Sequence, residues 1–169
     1  MKKEILIKEL CDLKSTNNFR KLKECDNSLI NLSSNDYLGI ANDKDLLNEF
    51  YSKYTPKLSS SSSRLIDGSY SEVMQLEKEL ENIYKNSAIL FNSGFDANSS
   101  IIETFYNKKS LILTDRLNHA SIYDGILNSE AVFMRYKHLD MENLEKLLIK
   151  YRDSYDDILV VSETVYSMD

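Results

Sequence analysis

From residue 69 onward the apolar residues change their spacing at short intervals, and this alternation narrows the possible folds more than any other feature of the chain. SYSEVMQLEKELENIYK carries Val73, Leu76, Leu80 and Ile83 at helical steps, and its opening SYSE has the Ser-x-x-Glu form of a capping box. SAILFN (87–92) then reads as a strand, FDANSSIIETFY (95–106) as a helix and SLILTD (110–115) as a strand. HASIYDGILNS (119–129) is a helix, AVFMRY (131–136) a strand, MENLEKLLIKYR (141–152) a helix capped by Asp140, and DILVVSE (157–163) a further buried strand. Strands and helices that alternate through short connections predict an α/β fold, a mainly parallel sheet flanked by helices.

The first part is less regular. Residues 3–14 have a mostly apolar helical stripe, and LINLS (29–33) reads as a short strand before the turn-rich SNDYLG. DKDLLNEFYSKY (43–54) is helical, with Asp43 as its cap and Pro56 beyond its end. SSSSS (59–63) reads on composition either as a flexible linker or as part of an ordered loop. The division expected is an arm over residues 1–40 and a sheet domain over 41–169.

Bulk properties exclude several classes of function. A net charge of −6 disfavours a nucleic-acid backbone as partner. The longest apolar runs, such as DILVV, fall far short of the roughly 20 residues of a membrane helix. The start, MKKEILIKELCD, has charges where a signal peptide would be apolar. Two lone cysteines, Cys11 and Cys25, suit a reducing cytoplasm rather than a disulfide scaffold, and two scattered histidines give no metal-ligand spacing.

Ligands of an open parallel sheet collect beyond the carboxyl ends of its strands. Three such ends carry chemistry: Ser93-Gly94-Phe95 after 87–92, Asp115 and His119 after 110–114, and Glu163, Thr164 and Ser167 after 157–162. Gly94 either serves a tight turn or lets backbone N–H groups approach an anion at a helix start, a phosphate being the natural guest. His119 reads either as a helix cap or solvated group, or as an imidazole facing a ligand. His138 reads as a surface residue. Neither a Rossmann fingerprint nor a P-loop is present.

NDYLG (35–39), SRLIDG (63–68), FNSGFDAN (91–98), TDRLNHASIYDG (114–125) and SETVYSMD (162–169) follow one another in the order seen in the α-oxoamine synthases. From about Asn18 to Asp169 the chain resembles these pyridoxal-phosphate enzymes of the fold-type-I aminotransferase superfamily. SSRLIDG and FMRYKHLD look like the branch that condenses alanine with a pimeloyl thioester on the way to biotin. FDAN and LNHASIYDG are also similar to a glycine-using acetyltransferase branch. The resemblance implies a cytoplasmic homodimer with residues 41–169 as part of a large cofactor-binding domain. It implies that Gly94 and Phe95 hold the cofactor phosphate and that His119 stacks on its ring and meets substrate. Ser167 would bond the phenolic oxygen, Glu163 would lie near the reacting centre, and Arg20 would meet the substrate carboxylate. For Arg20 a solvated arm residue is the other reading.

The family has glycines where SSSSSR stands here, which implies a stiffer loop, although Arg64 and Gly68 still fit. The stretch between Arg20 and Asn31 is short for the family, suggesting a trimmed hairpin. An aspartate, a second histidine and the Schiff-base lysine would follow Asp169 in the family. The expectation is an N-terminal part of a longer enzyme that does not run the condensation by itself. A fragment acting only in dimerisation is the alternative outside catalysis.

Overall fold

The computed structural model describes residues 2–22, 24, 26 and 28–167, which form two compact units, Met1–Leu58 and Ser59–Asp169. Cys25 and the last two residues of the SETVYSMD motif lie outside the described residues.

The first unit holds α1 (Lys2–Ser15), a 3-10 turn (Ile40–Asn42) and α2 (Lys44–Lys53). Asp43 caps α2 as its sequence position predicts, its carboxylate accepting the Leu46 N–H at 2.9 Å. The strand expected at 29–33 is absent among the described residues. Polar side chains claim the backbone there: Asn31 Oδ1 accepts the Ser33 N–H, and Asp26 Oδ1 accepts that of Ser28. Such local bonds compete with a ladder and favour turns.

The second unit contains α3 (Ser71–Tyr84), α4 (Gly94–Phe105), β1 (Ser110–Asp115), α5 (Ala120–Asn128), β2 (Val132–Tyr136), α6 (Met141–Tyr151) and β3 (Asp157–Val161). All three strands are parallel in the order β2-β1-β3, so the expected α/β class with a parallel, helix-flanked sheet is borne out. Every residue of β1 is buried, and successive side chains enter opposite layers. Ile112 joins Ile102, Ile122 and Ile126 from α4 and α5; Leu111 and Leu113 join Tyr136 and the leucines of α6. Helices on opposite faces follow from the strand order. The chain moves one way from β1 to β2 and back past β1 to β3, and right-handed crossovers then require opposite faces. Within the α4–α5 layer, a Cβ on Gly125 would lie 2.8 Å from the Ser99 carbonyl oxygen, so glycine is what lets the two backbones meet.

Two expectations in this unit are corrected. SAILFN is not a strand, because side chains take up its backbone: Leu90 N–H donates to Glu77 Oε1 at 2.7 Å and the Leu90 carbonyl accepts from Arg64. Ser69 is not the cap of α3; Tyr70 holds that position without a side-chain bond. The Ser69 hydroxyl is engaged instead with the Arg64 Nε and carbonyl oxygen.

The serine run ends in an ordered loop. Ser63 O accepts the N–H groups of Ile66, Asp67 and Gly68, and a Cβ on Gly68 would collide with the Ser62 carbonyl oxygen. Arg64 latches this loop to α3 by two parallel bonds to Glu77, at 2.7 and 2.8 Å. That pairing, together with the Leu90 amide, holds the Glu77 carboxyl below its usual range despite burial.

Candidate functional site

The site assembles at the carboxyl end of the parallel sheet, where the strand exits and the starts of α4 and α5 come together. Ser93 caps α4, its hydroxyl accepting the Asp96 N–H at 3.0 Å. Gly94 and Phe95 are the first two residues of the helix, whose leading N–H groups have no carbonyl a turn earlier to bond. A Cβ on Gly94 would meet nothing within 4 Å, so the space beside the helix start is open on that side.

His119 caps α5, and its ring is oriented from one side. Nδ1 accepts the Ser121 N–H at 3.2 Å and lies 2.8 Å from the Ser121 hydroxyl. That hydroxyl accepts from Asn98 Nδ2 at 3.0 Å, which leaves its own proton to point at Nδ1. An imidazole that accepts at Nδ1 carries its neutral-state proton on Nε2. The Phe95 ring stands edge-on to His119 with centroids 6.3 Å apart. The His119 amide donates to Glu163 Oε2 at 2.6 Å, so the exits of β1 and β3 are joined directly.

Gly94 and Phe95 at the start of α4, His119 and Glu163 thus lie at one end of the sheet. Ser167 is exposed, four residues past Glu163 on the same turn, and its side chain has no hydrogen bond among the described residues. Arg20 belongs to the first unit, where it is exposed beyond the end of α1.

Sequence reasoning missed three residues. Asn98 and Ser121 orient the imidazole, and Asn118 ties the sheet exit together by donating to Thr114 Oγ1 at 2.8 Å and to the Val161 carbonyl at 3.0 Å. Asn118 Oδ1 is buried without a partner among the described residues. Their placement inside FDAN and LNHAS was the available signal. His138 requires a correction: it is no surface group, since its side chain is only 13% exposed and its Nδ1 lies 3.0 Å from the fully buried Asp115 carboxylate. Burial pushes the Asp115 carboxyl up, but the Leu117 and Leu139 amides and His138 outweigh it and hold it below its ordinary value.

Beside Glu163 an open groove of about 300 Å³ runs along β3, between Asn98 and Ile122 on the helices and Leu159 and Val161 on the strand. Among the described residues no helix is long and apolar enough to cross a membrane.

Comparison with known proteins places these features in context. The family model described as aminotransferase class I and II matches residues 27–169. A curated relative from Pasteurella multocida is 41% identical over 95% of this chain, and one from Glaesserella parasuis 44% identical over 85%. Both bear the provisional name 8-amino-7-oxononanoate synthase, and the chain spans only 45% and 39% of their lengths. Among solved structures, serine palmitoyltransferase from S. paucimobilis, with a bound PLP–myriocin aldimine, superposes with a TM-score of 0.68 at 32% identity. That match covers 78% of this chain and 33% of the other. The 8-amino-7-oxononanoate synthase of Francisella tularensis gives 0.56 at 31% identity, covering 79% and 37%.

Proposed function

The chain belongs to the aminotransferase class I and II family, and from that membership we propose that it forms part of a pyridoxal-phosphate-dependent oxoamine synthase. Its reaction would join an amino acid, L-alanine, to an acyl thioester, a pimeloyl one, with loss of carbon dioxide, as one step of biotin formation in the cytoplasm. The observation that carries this reading is the convergence on His119, whose ring meets Phe95 at the start of α4 and whose backbone amide is held by the Glu163 carboxylate beyond β3.

The residues present fit the cofactor. The open space beside Gly94 and the leading N–H groups of Gly94 and Phe95 suit a phosphate, which the α4 dipole also favours. When bound, pyridoxal phosphate supplies the electron sink that lets an amino acid lose its α-proton. Everything else falls to the protein. His119 offers a flat ring for stacking and an Nε2–H as donor. Ser167 offers a hydroxyl to the cofactor's phenolic oxygen. Glu163 fixes the His119 backbone and keeps one carboxylate near the reacting centre. Arg20 would grip the substrate carboxylate through paired hydrogen bonds. The functional assembly would be a homodimer.

Titrating pyridoxal phosphate into the chain, with the cofactor's ³¹P resonance as readout, tests the site. Saturable binding that weakens in His119→Ala supports the reading; no binding to the unaltered chain would sink it. A second reading within the same chemistry, an oxoamine synthase using serine, is favoured by the likeness to serine palmitoyltransferase. Product analysis of the whole synthase that contains this chain, supplied with alanine, glycine or serine and thioesters of several lengths, separates the two.

A further inference from the structure

The chains leaving β1 and β2 turn to α5 on one face of the sheet and α6 on the other, and such divergence opens a crevice at the strand ends. Here the crevice is filled by Asp115 and His138. The Asp115 carboxylate accepts the Leu117 N–H at 2.9 Å and the Leu139 N–H at 3.1 Å, one from each departing segment. An apolar pair of similar volume would fill the same space without the cost of burying charge. What an apolar pair lacks is direction.

That direction leads back to the site. The His138 ring meets the edge of Tyr166, with centroids 4.6 Å apart and planes at 84°. The Tyr166 hydroxyl lies 2.9 Å from Ser162 Oγ and accepts the Glu163 N–H at 3.1 Å. Glu163 in turn accepts the His119 amide. An unbroken series of contacts therefore runs from the buried carboxylate to the backbone amide of His119, through a turn that also carries Ser167.

We propose that His138 is a positioning residue: clamped by Asp115, it seats Tyr166, and Tyr166 sets the turn after β3 so that Glu163 reaches the His119 amide. The assignment rests on the reading that the His119 end of the sheet is the cofactor site, although the clamp is a property of the chain alone.

Amide hydrogen exchange followed by NMR tests it on the unaltered chain, Tyr166→Phe and His138→Ala. Tyr166→Phe removes only the hydroxyl and keeps the ring against His138, so it serves even if His138→Ala fails to fold. Exchange of the His119 amide is expected to quicken about tenfold, the loss of one net hydrogen bond, while Ile112 and Leu113 in β1 stay protected. Pyridoxal phosphate should bind the same variants several-fold more weakly. Unchanged His119 exchange in Tyr166→Phe overturns the proposal, and so does an equal rise at Ile112 and Leu113. Faster His119 exchange with undiminished cofactor affinity reduces the clamp to a structural device and overturns the positioning role. If the unaltered chain binds no cofactor, the functional reading fails, and the exchange result still decides the clamp.

Discussion

His119 and Glu163, 44 residues apart in sequence, are joined by a 2.6 Å hydrogen bond from the histidine amide to the carboxylate. Because the donor is main chain, the bond does not depend on the protonation of the imidazole. Replacing Glu163 by Ala should lower unfolding free energy by about 1 to 2 kcal/mol, as for a bond to a charged group. Glu163→Gln keeps an acceptor and should cost less than half as much. Urea titrations of both variants check the order; equal losses would mean the bond itself contributes nothing.

The start of α4 offers a substitution that removes a donor without breaking the helix. Gly94 occupies the first helical position, where proline is well tolerated, and Ser93 already has the extended backbone that a following proline requires. Gly94→Pro should leave stability within about 0.5 kcal/mol of the parent and weaken pyridoxal phosphate binding about tenfold. Calorimetry alongside a thermal melt distinguishes lost affinity from lost fold.

Arg64 holds the serine loop to α3 through a forked pair on a largely buried carboxylate. Arg64→Lys keeps the charge but not the fork, and should lower stability measurably. Arg64→Leu strands the Glu77 carboxylate and should cost more than Arg64→Lys. Chemical denaturation measures both, and a lysine variant worse than leucine would contradict the geometry.

Acid should weaken the fold through Asp115. Its folded-state pKa lies below the unfolded one, so its contribution is complete above about pH 4 and declines as pH falls through the folded value. The stability gap between the parent and Asp115→Asn should therefore be largest near neutrality and shrink below about pH 4. A gap that widens in acid would reverse the sign assigned to this carboxylate.

Gly125→Ala sets two effects against each other. Alanine favours helix by about 1 kcal/mol over glycine. The new methyl, however, would lie 2.8 and 2.9 Å from the backbone of Ser99, and overpacking of that kind costs about 1 to 3 kcal/mol. Net destabilisation in a thermal melt is the expected outcome.

The parts of this fold that the sequence reveals are those whose backbone bonds stay within helices or the sheet. The strand at 110–115 and the caps Asp43 and Asp140 stand where apolar spacing and capping chemistry put them. The failures occur where side chains reach across the chain for main-chain groups. SAILFN has a strand's composition, but Glu77 and Arg64 occupy Leu90, and nothing local announces partners 13 and 26 residues away. The Ser69 hydroxyl is diverted from its capping role by Arg64. His138 was misread because a burying partner on a neighbouring strand leaves no local mark. Asp115 pairs with Tyr136 in the sheet register, so His138 lies just two residues beyond its opposite number. At the site, Gly94 with Phe95, His119 and Glu163 are legible as turn or polar residues that interrupt apolar runs. Asn98, Ser121 and Asn118 passed for helix-start composition.

The glycine contact between α4 and α5 has a mechanical consequence. Main chain rests on main chain at Gly125 and Ser99, so the gap between the two helix openings is set by groups that have no rotamers to change. A guest spanning those openings would therefore meet a gap of fixed width. By contrast, the segment following β3 meets the start of α5 through the Glu163 side chain, which does have rotamers to change.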